Sequence, residues 1–511
     1  MGAGPLAWGQ TAGVAGAGGE GASRGVAVAD CRHGGWCPEE IIDGASLAPD
    51  RIPDALGAVC YQEHMYWNVL REPWARAART ASRTPLGRNR FVDLVRAASI
   101  GVVVLGHWLM AAPSLDDRGF SLGDLLRTAP WSQWLTWLLQ VMPLFFMVGG
   151  YSNAASWEAA RRDGVNYRGW LAVRLRRLVV PAVPLLVFWA VVALVAPSLG
   201  VSRELLGLGS KLAFTPAWFL AVYVPLVVAA PASHAAWRRF GLASFASLAA
   251  CVAVVDAAAF AGGLSALRWL NHGFVWLAIS QIGYLWRDGR LAGPVRSLSF
   301  AALGLALLVG LVGGASYPVS MITVPGAELS NSRPPTLALL ALGMLHGGLA
   351  LTLEPPARRW LERPRRWTAT VLVNASIMTL YLWHATVMVL AVGLAYASGG
   401  FGLRTTPATA AWWLSRPPWI LLLLVALAAC VALLGRFERL GREGARVERP
   451  AWRSVAGAIA LCAGLGGLSR FGLGGDPRLA AGILVASFAG ALLVVGPRLR
   501  PSNTDGPAAD C

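Results

Sequence analysis

The chain has 511 residues, of which 56% are hydrophobic and only 14% charged, and its formal net charge is +17. This composition, with a mean hydropathy of +0.53, excludes an ordinary soluble domain and predicts a polytopic α-helical membrane protein in a lipid bilayer. The positive charge does not indicate a nucleic-acid partner, because the basic residues gather in short loops between apolar segments.

Residues 1–70 differ from the rest of the chain. They are rich in Gly and Ala without periodicity, which predicts a low-complexity, disordered N-terminal extension. They lack the pattern of a secretory signal or a myristoylation site, and Met65 is an alternative start. Cys31, His33 and Cys37 stand in CRHGGWC, but a fourth ligand is missing and the spacing fits no standard zinc site. We therefore expect no bound metal.

Twelve apolar segments follow in chain order. They are candidate membrane spans, and the last two are the weakest because they are short and rich in Gly and Ala. They are 91–112, 131–155, 178–197, 216–236, 241–262, 269–286, 297–320, 336–353, 369–395, 418–435, 454–469 and 479–496.

The charge of the connecting loops predicts the orientation of these segments. If the chain before the first span is cytoplasmic, the cytoplasmic segments carry 30 Lys and Arg residues and the outer loops carry 10. This threefold excess agrees with the positive-inside rule. We expect a multi-pass protein of the plasma membrane with both termini in the cytoplasm.

The first span, FVDLVRAASIGVVVLGHWLM, holds the one basic residue that we place inside any span, Arg96. Eleven residues of helix turn about 1100°, so His107 shares its face, about 16 Å further along the axis. Arg96 could be an anchor that snorkels to the interface, paired with Asp93. The shared face with His107 instead indicates a path from the cytoplasm to a reactive point in the membrane.

Several motifs in order carry a resemblance to a known family. The R-x10-H pattern of RNRFVDLVRAASIGVVVLGHW, then MPLFFMVGGYSNAASW, RLRR, TPAWFLAVYVP and TLYLWHATVMV resemble the acyltransferase-3 family of integral membrane O-acyltransferases. The resemblance covers residues 88 to about 435, or ten spans. It implies an all-α polytopic membrane protein, with a ten-helix acyltransferase-3-like bundle plus about two extra C-terminal spans.

The chain departs from the family pattern at two positions. Gly149 stands where many members have serine, and Tyr223 stands where one large branch has glutamate. The departures bear on the class of acceptor more than on the chemistry. Some members also carry a soluble esterase-like domain, which we do not expect here because the tail after 496 is short.

The sequence divides into six regions. These are the extension 1–70, a basic cytoplasmic segment 71–90, the acyltransferase-3-like transmembrane domain 91–435, a basic cytoplasmic loop 436–453, two additional spans in 454–496 and a cytoplasmic tail 497–511.

The resemblance implies an acyltransferase that moves an acyl group from cytoplasmic acyl-CoA, acetyl-CoA by default, to a hydroxyl of a carbohydrate, a glycolipid or a secreted small molecule. It implies His107 as the catalytic residue and Arg96, Arg174 and Arg177 as contacts of the donor, since guanidinium groups bind phosphate bidentately. Without the resemblance, RLRR would be an ordinary positive-inside anchor. His107 could act as a general base or carry the acyl group itself. No carboxylate is clearly placed to orient it, and Asp256 is the one candidate.

Three further residues are candidates for contact with the acceptor: Tyr381 and His384 in the ninth span, and His272 near the outer end of the sixth. The alternative for them is packing in an interfacial aromatic belt. The long outer loop 316–336 is a candidate acceptor lid. The rival function is a proton-coupled transporter that uses the intramembrane Arg and His face.

Overall fold

A computed structural model of the chain describes residues 72–85, 87–117, 119–442 and 450–496. The predictions for 1–70, for Met65, for the cysteines of CRHGGWC and for 497–511 fall outside these residues. Within the described part the fold is helical apart from one small β-hairpin, so the prediction of an all-α polytopic membrane protein is confirmed.

The described part of the chain begins with a helix over 72–82, α1. The remaining elements are α2 (Arg90–Met110), β1 (Ala111–Asp116), β2 (Gly119–Asp124), α3 (Leu125–Thr128), α4 (Thr136–Leu139), α5 (Met142–Arg162), α6 (Tyr167–Val179), α7 (Val183–Val195), α8 (Arg203–Ala213), α9 (Ala217–Phe240), α10 (Leu242–Phe260), α11 (Asn271–Arg287), α12 (Pro294–Gly314), α13 (Leu337–Trp360), α14 (Pro364–Ala375), α15 (Ile377–Ala397), α16 (Ala410–Arg442), α17 (Ala451–Phe471) and α18 (Pro477–Val495). Short 3₁₀ turns occupy Pro130–Leu135, Val180–Ala182, Ala196–Leu199 and Ser265–Leu270.

Eleven helical segments of the described chain are long and apolar enough to cross a membrane. Each coincides with one of the twelve predicted spans. The remaining prediction, the sixth span, corresponds to α11, whose 17 residues lie at the lower limit of length for a spanning helix. This helix is buried along most of its length and the 3₁₀ turn Ser265–Leu270 precedes it.

The predicted ninth span, 369–395, is not one helix. It is divided at Ser376 between α14 and α15. The carboxylate of Glu438 accepts hydrogen bonds from the backbone N–H groups of Met378 and Thr379, and Arg442 donates to the carbonyls of Asn374 and Ala375. The break persists because α16 satisfies the backbone groups that both helix ends leave free.

The same contacts correct the predicted cytoplasmic loop 436–453. Residues 436–442 are the last turns of α16, and Glu438 is 3% exposed. The charges in this stretch predicted a cytoplasmic loop. Glu438 and Arg442 are instead part of α16 and bond to backbone groups on the two sides of the α14–α15 break.

The first predicted outer loop, 113–130, also contains regular structure. Strands β1 and β2 pair antiparallel, with Ala111 opposite Asp124 and Asp116 opposite Gly119. The strand sequences, AAPSLD and GFSLGD, lack alternating hydrophobicity, so periodicity did not reveal them.

Close contacts between small residues set the packing of the interior. A Cβ atom on Gly150 would lie 2.0 Å from the carbonyl oxygen of Ser280, and one on Gly283 would lie 2.1 Å from that of Met147. Helices α5 and α11 therefore approach backbone to backbone, as membrane helices do at small-residue interfaces. The two C-terminal helices, α17 and α18, pack on each other and on α6 to α9, and their leucines join the main core.

Candidate functional site

Helix α2 carries both residues of the R-x10-H pattern. Asn89 caps its N-terminus by accepting a hydrogen bond from the backbone N–H of Phe91. Arg96 and His107 are both partly buried, as expected for a face that looks into the bundle.

His107 is held by a second histidine. Its Nδ1 lies 2.8 Å from Nε2 of His384 on α15, and the two rings are inclined by only 9°. Nδ1 of His384 lies 2.7 Å from the carbonyl oxygen of Tyr381. The indole Nε1 of Trp108 donates to the carbonyl of His384 at 2.9 Å, which ties α2 to α15 beside the pair.

These contacts determine the tautomers of the two neutral imidazoles. The carbonyl of Tyr381 can only accept, so Nδ1 of His384 carries its hydrogen and Nε2 has a lone pair. Nδ1 of His107 must then donate to that lone pair. Nε2 of His107 is left unprotonated, which is the state that a general base or a nucleophile requires.

Arg96 lies at the other end of the α2 face. Its Nη2 donates to the hydroxyl of Ser152 on α5 at 2.9 Å. Its predicted partner Asp93 is 3.8 Å away and receives a bidentate pair of hydrogen bonds from Arg88, at 2.7 and 2.9 Å. The carboxylate is thus committed mainly to Arg88, and Arg96 retains donors for another anion.

Arg174 reaches the same region from α6. Its guanidinium donates to the side-chain carbonyl of Asn153, the residue after Ser152 on α5. The charges of Arg174 and Arg96 act on each other, and Tyr223 of α9 is close to both. Arg96 and Arg174 are therefore brought together, with neutral side chains as their main partners.

Arg177 lies apart from Arg96. It is exposed on α6, within electrostatic range of Arg174 and of Arg442 on α16. The structure thus places Arg177 at the rim of the region that Arg96 and Arg174 occupy.

The two departures from the family pattern are in contact with each other. A Cβ atom on Gly149 would lie 2.7 Å from Cε2 of Tyr223 and 3.1 Å from its hydroxyl. Tyr223 is 8% exposed and stacks on Phe219 with ring centroids 5.1 Å apart. The missing side chain at position 149 is what makes room for the ring at position 223.

A cavity of about 620 Å³ lies at the C-terminal ends of α5 and α9, and its first lining residue on α5, Trp157, is one helical turn beyond Asn153. Arg161, Arg238 and Arg239 contribute positive charge to its lining, and Glu158 contributes an acid. That acid is paired with Arg287 at 2.6 Å, so the unpaired charge of the cavity is positive. Its volume lies within the range typical of small-molecule sites.

The acceptor-side candidates are spread over the structure. His384 is fully buried, and both of its ring nitrogens have the partners described above. These contacts favour a role in orienting His107 over contact with the acceptor. Tyr381 is also buried, and its hydroxyl donates to the carbonyl of Pro216. His272 is partly exposed and stacks on Trp269 with centroids 5.2 Å apart, which leaves it the candidate nearest to a surface.

Asp256 does not orient His107. It accepts hydrogen bonds from Asn271, from the hydroxyl of Tyr317 and from the backbone N–H of Leu337, at 2.7 to 2.9 Å. These bonds join α10 to α11, to the loop 316–336 and to α13. Burial raises the pKa of Tyr317, and the nearby carboxylate acts in the same direction. The candidate lid, loop 316–336, is thus bound to α10 through Tyr317, close to its first residue.

Sequence reasoning missed the partners of the site. Ser152 and Asn153 were visible only as polar residues in an apolar segment, and that signal is shared by many helix-packing residues. The pairing of His384 with His107 had no sequence signal, because 277 residues separate them. Among the described residues, no cluster of His, Cys, Asp or Glu could hold a metal ion.

One of the comparisons with known proteins identifies the family of the chain. The sequence model of the acyltransferase-3 family, described as an acyltransferase domain, matches residues 89–435. The chain therefore belongs to the acyltransferase-3 family and is a membrane acyltransferase. The rival prediction of a transporter gains no support. No curated protein and no solved structure matches the chain.

Proposed function

We propose that this member of the acyltransferase-3 family transfers an acyl group from cytoplasmic acyl-CoA to a hydroxyl group that is presented from the outer side of the plasma membrane. The observation that carries the proposal is the hydrogen-bonded chain from Tyr381 through His384 to His107. It keeps Nε2 of His107 unprotonated in the interior of a membrane bundle.

In the reaction as proposed, Nε2 of His107 takes the proton of the acceptor hydroxyl while the oxygen attacks the thioester carbonyl. The tetrahedral intermediate collapses to the ester, and the leaving thiolate recovers the proton from the imidazolium. In a two-step version, Nε2 itself attacks the carbonyl and coenzyme A leaves as its thiolate, which gives a cationic acyl-histidine. The acceptor hydroxyl then takes the acyl group from Nε2, and its proton neutralises the thiolate, which leaves His107 in its starting tautomer. Both versions use the same atom in the same tautomer.

The chain from His107 to Tyr381 contains no carboxylate, since its last acceptor is a backbone carbonyl. Positive charge that develops on His107 would be shared with His384 and that carbonyl dipole. Such a partner stabilises an imidazolium less than a carboxylate would. This favours a mechanism in which the positive charge on His107 is short-lived.

The positive charge of several arginines supports a donor site near Arg96 and Arg174. Arg96 and Arg174 hold neutral partners on α5, and the adjoining cavity has Arg161, Arg238 and Arg239 in its lining. The phosphates of coenzyme A would accept hydrogen bonds from these guanidinium groups. A donor held there would extend its thioester along the α2 face, about 16 Å of helix, to His107.

The acyl chain and the acceptor are proposed more generally. Acetyl is the default acyl group, and a carbohydrate or a lipid-linked hydroxyl is the default acceptor. Mass spectrometry of envelope glycans and lipids with and without the protein tests this directly. Loss of an acyl increment from one fraction identifies the acceptor, and an unchanged profile in every fraction contradicts envelope acylation.

The catalytic test uses purified protein in nanodiscs with radiolabelled acetyl-CoA and longer acyl-CoA donors. His107→Ala and His107→Gln should each lower acyl transfer by about 10²- to 10⁴-fold, the usual contribution of a general base. Expression and gel-filtration profiles should stay those of the wild type. Normal transfer by either variant would remove His107 from the mechanism.

The two chemical versions are separated by a rapid acid quench with the labelled donor alone. Acyl-histidine chemistry predicts label on the protein before any acceptor is added, and none on His107→Gln. Direct transfer predicts no label on either protein. The result decides the version without changing the assignment of His107.

A further inference from the structure

A second cavity lies on the opposite side of α9 from the arginine-lined one. It has a volume of about 580 Å³ and is bounded by α9, α10 and α11. None of the described residues that line it is charged. Its rim includes Phe240 and Ala243, which are exposed. Because α9 and α10 are both candidate membrane spans, this rim faces the bilayer.

The groove lies beside a part of α10 whose two ends are held by neighbouring segments. At one end, the hydrogen bonds of Asp256 tie α10 to α11, to Tyr317 and to α13. At the other end, Gly241 has a φ of +56° and turns the chain directly from α9 into α10. Between these points the facing side chains are small, among them Ala232, Ala236 and Ala243. Small side chains leave a gap that neighbouring helices do not fill.

The groove mixes apolar and uncharged polar side chains along its length. Ser244 and Gln281 lie near the α9–α10 turn beside the apolar Phe240. Ser233 and Ser247 lie deeper, together with two leucines. An uncharged lipid with a hydroxyl group matches such a surface, because its chain packs on the apolar side chains and its hydroxyl can bond to a polar one.

Two side chains in this lining, Ser233 and Gln281, have a buried polar atom without a hydrogen-bond partner among the described residues. Gln281 is 1% exposed, and its Nε2 donates to the hydroxyl of Ser244 at 2.9 Å. Its Oε1 has no hydrogen-bond partner among the described residues. An unpaired buried carbonyl oxygen is costly in an apolar surrounding. A ligand that supplies a donor, such as a hydroxyl, would remove that cost.

We propose that this groove binds an uncharged, hydroxyl-bearing lipid of the bilayer, with its chain between α9 and α10 and its hydroxyl on Oε1 of Gln281. The site is distinct from the His107 chemistry and does not depend on it. Diacylglycerol is the simplest lipid of this class. The uncharged lining disfavours a ligand whose phosphate would have to enter the groove without a partner.

The test measures binding by photo-crosslinking, without any donor present. Wild-type protein in phosphatidylcholine nanodiscs is mixed with a photoreactive diacylglycerol, and the labelled peptides are identified by mass spectrometry. We expect label on α9, α10 or α11 beside the groove, and competition by unlabelled diacylglycerol. A matched probe whose hydroxyl is methylated should label the groove about three- to tenfold less, the effect of one hydrogen bond.

Two alanines of α10 provide the matched variants. Ala243 lines the groove, whereas Ala246 is exposed on the same helix and is not part of the lining. Ala243→Phe should fill the groove and reduce labelling at least tenfold, while Ala246→Phe should label like the wild type. Gln281→Leu should remove the difference between the hydroxyl and methyl-ether probes.

Two results would overturn the proposal. One is equal labelling by the two probes in the wild-type protein, which needs no variant to fold. The other is labelling of Ala243→Phe at the level of Ala246→Phe when both proteins are monodisperse. Because no acyl donor is added, failure of the proposed acyl transfer would leave these readouts unchanged.

Discussion

The two ends of the α2 face differ in how their side chains are satisfied. At the deep end, His107 is paired with His384 and the chain of hydrogen bonds ends on a backbone carbonyl. At the other end, Arg96 and Arg174 contact the neutral side chains of Ser152 and Asn153. The first region is organised before any substrate arrives, and the second leaves positive charge for an anion. Orientation of the base and binding of the donor are therefore separate tasks that one helix connects.

After the loss of His107 itself, the largest effect should come from breaking the histidine pair. His384→Phe removes the acceptor for Nδ1–H of His107, and we expect kcat to fall about 10- to 100-fold, the range for losing a buried hydrogen bond to a group that becomes charged. KM for the donor should not change. Steady-state kinetics in nanodiscs measures both values.

His384→Gln is the matched control for that variant. Its amide offers an acceptor to His107 and donors to the carbonyl of Tyr381, so it should recover much of the lost kcat. Equal kcat values for the Phe and Gln variants would show that position 384 acts through packing and not through the tautomer.

Loss of charge at the arginine end should instead change donor binding. Arg174→Gln keeps a polar side chain but removes the charge, and we expect KM for acyl-CoA to rise about tenfold, consistent with one lost charge-assisted bond. Arg174→Lys should recover part of it, because lysine restores charge without the fork. A fall in kcat at constant KM would place Arg174 with His107 and not with the donor.

A smaller effect on stability should follow from filling the space beside Tyr223. Gly149→Ala places a methyl group 2.7 Å from that ring, and overpacking of this kind costs about 1–3 kcal/mol. Thermal unfolding of the single variant and of Gly149→Ala with Tyr223→Leu measures the coupling between the positions. Independent, additive effects would contradict the contact.

The smallest effect is expected at the rim. Arg177 is exposed, so its interactions are screened by solvent, and Arg177→Gln should raise KM for the donor by no more than about threefold. Measured beside Arg174→Gln at the same ionic strength, it separates the contributions of Arg174 and Arg177 to donor binding. An Arg177 effect as large as that of Arg174 would mean that the donor lies further toward the exposed side of α6.

The roles of some charged residues could not be predicted from the sequence. Glu438 and Arg442 were assigned to a solvated loop because charge after an apolar segment usually indicates one, yet they hold the break between α14 and α15. Asp256 was the one carboxylate in reach as an orienting group for His107, and its three hydrogen bonds lie elsewhere. In each case the residue type was informative, but its partner was far along the chain.

The sequence by itself determined the membrane class, the positions of the spans, the shared face of Arg96 and His107, and the family. The first three follow from local hydropathy, loop charge and helical periodicity, all of which act over a few turns of the chain, whereas the family follows from the resemblance of several short motifs in order. Only the tertiary structure decided that His384 holds His107, that Gly149 makes room for Tyr223, and that α9 separates an arginine-lined cavity from an uncharged groove. Such features depend on which helices meet, and packing between distant segments sets this through contacts that no single segment encodes.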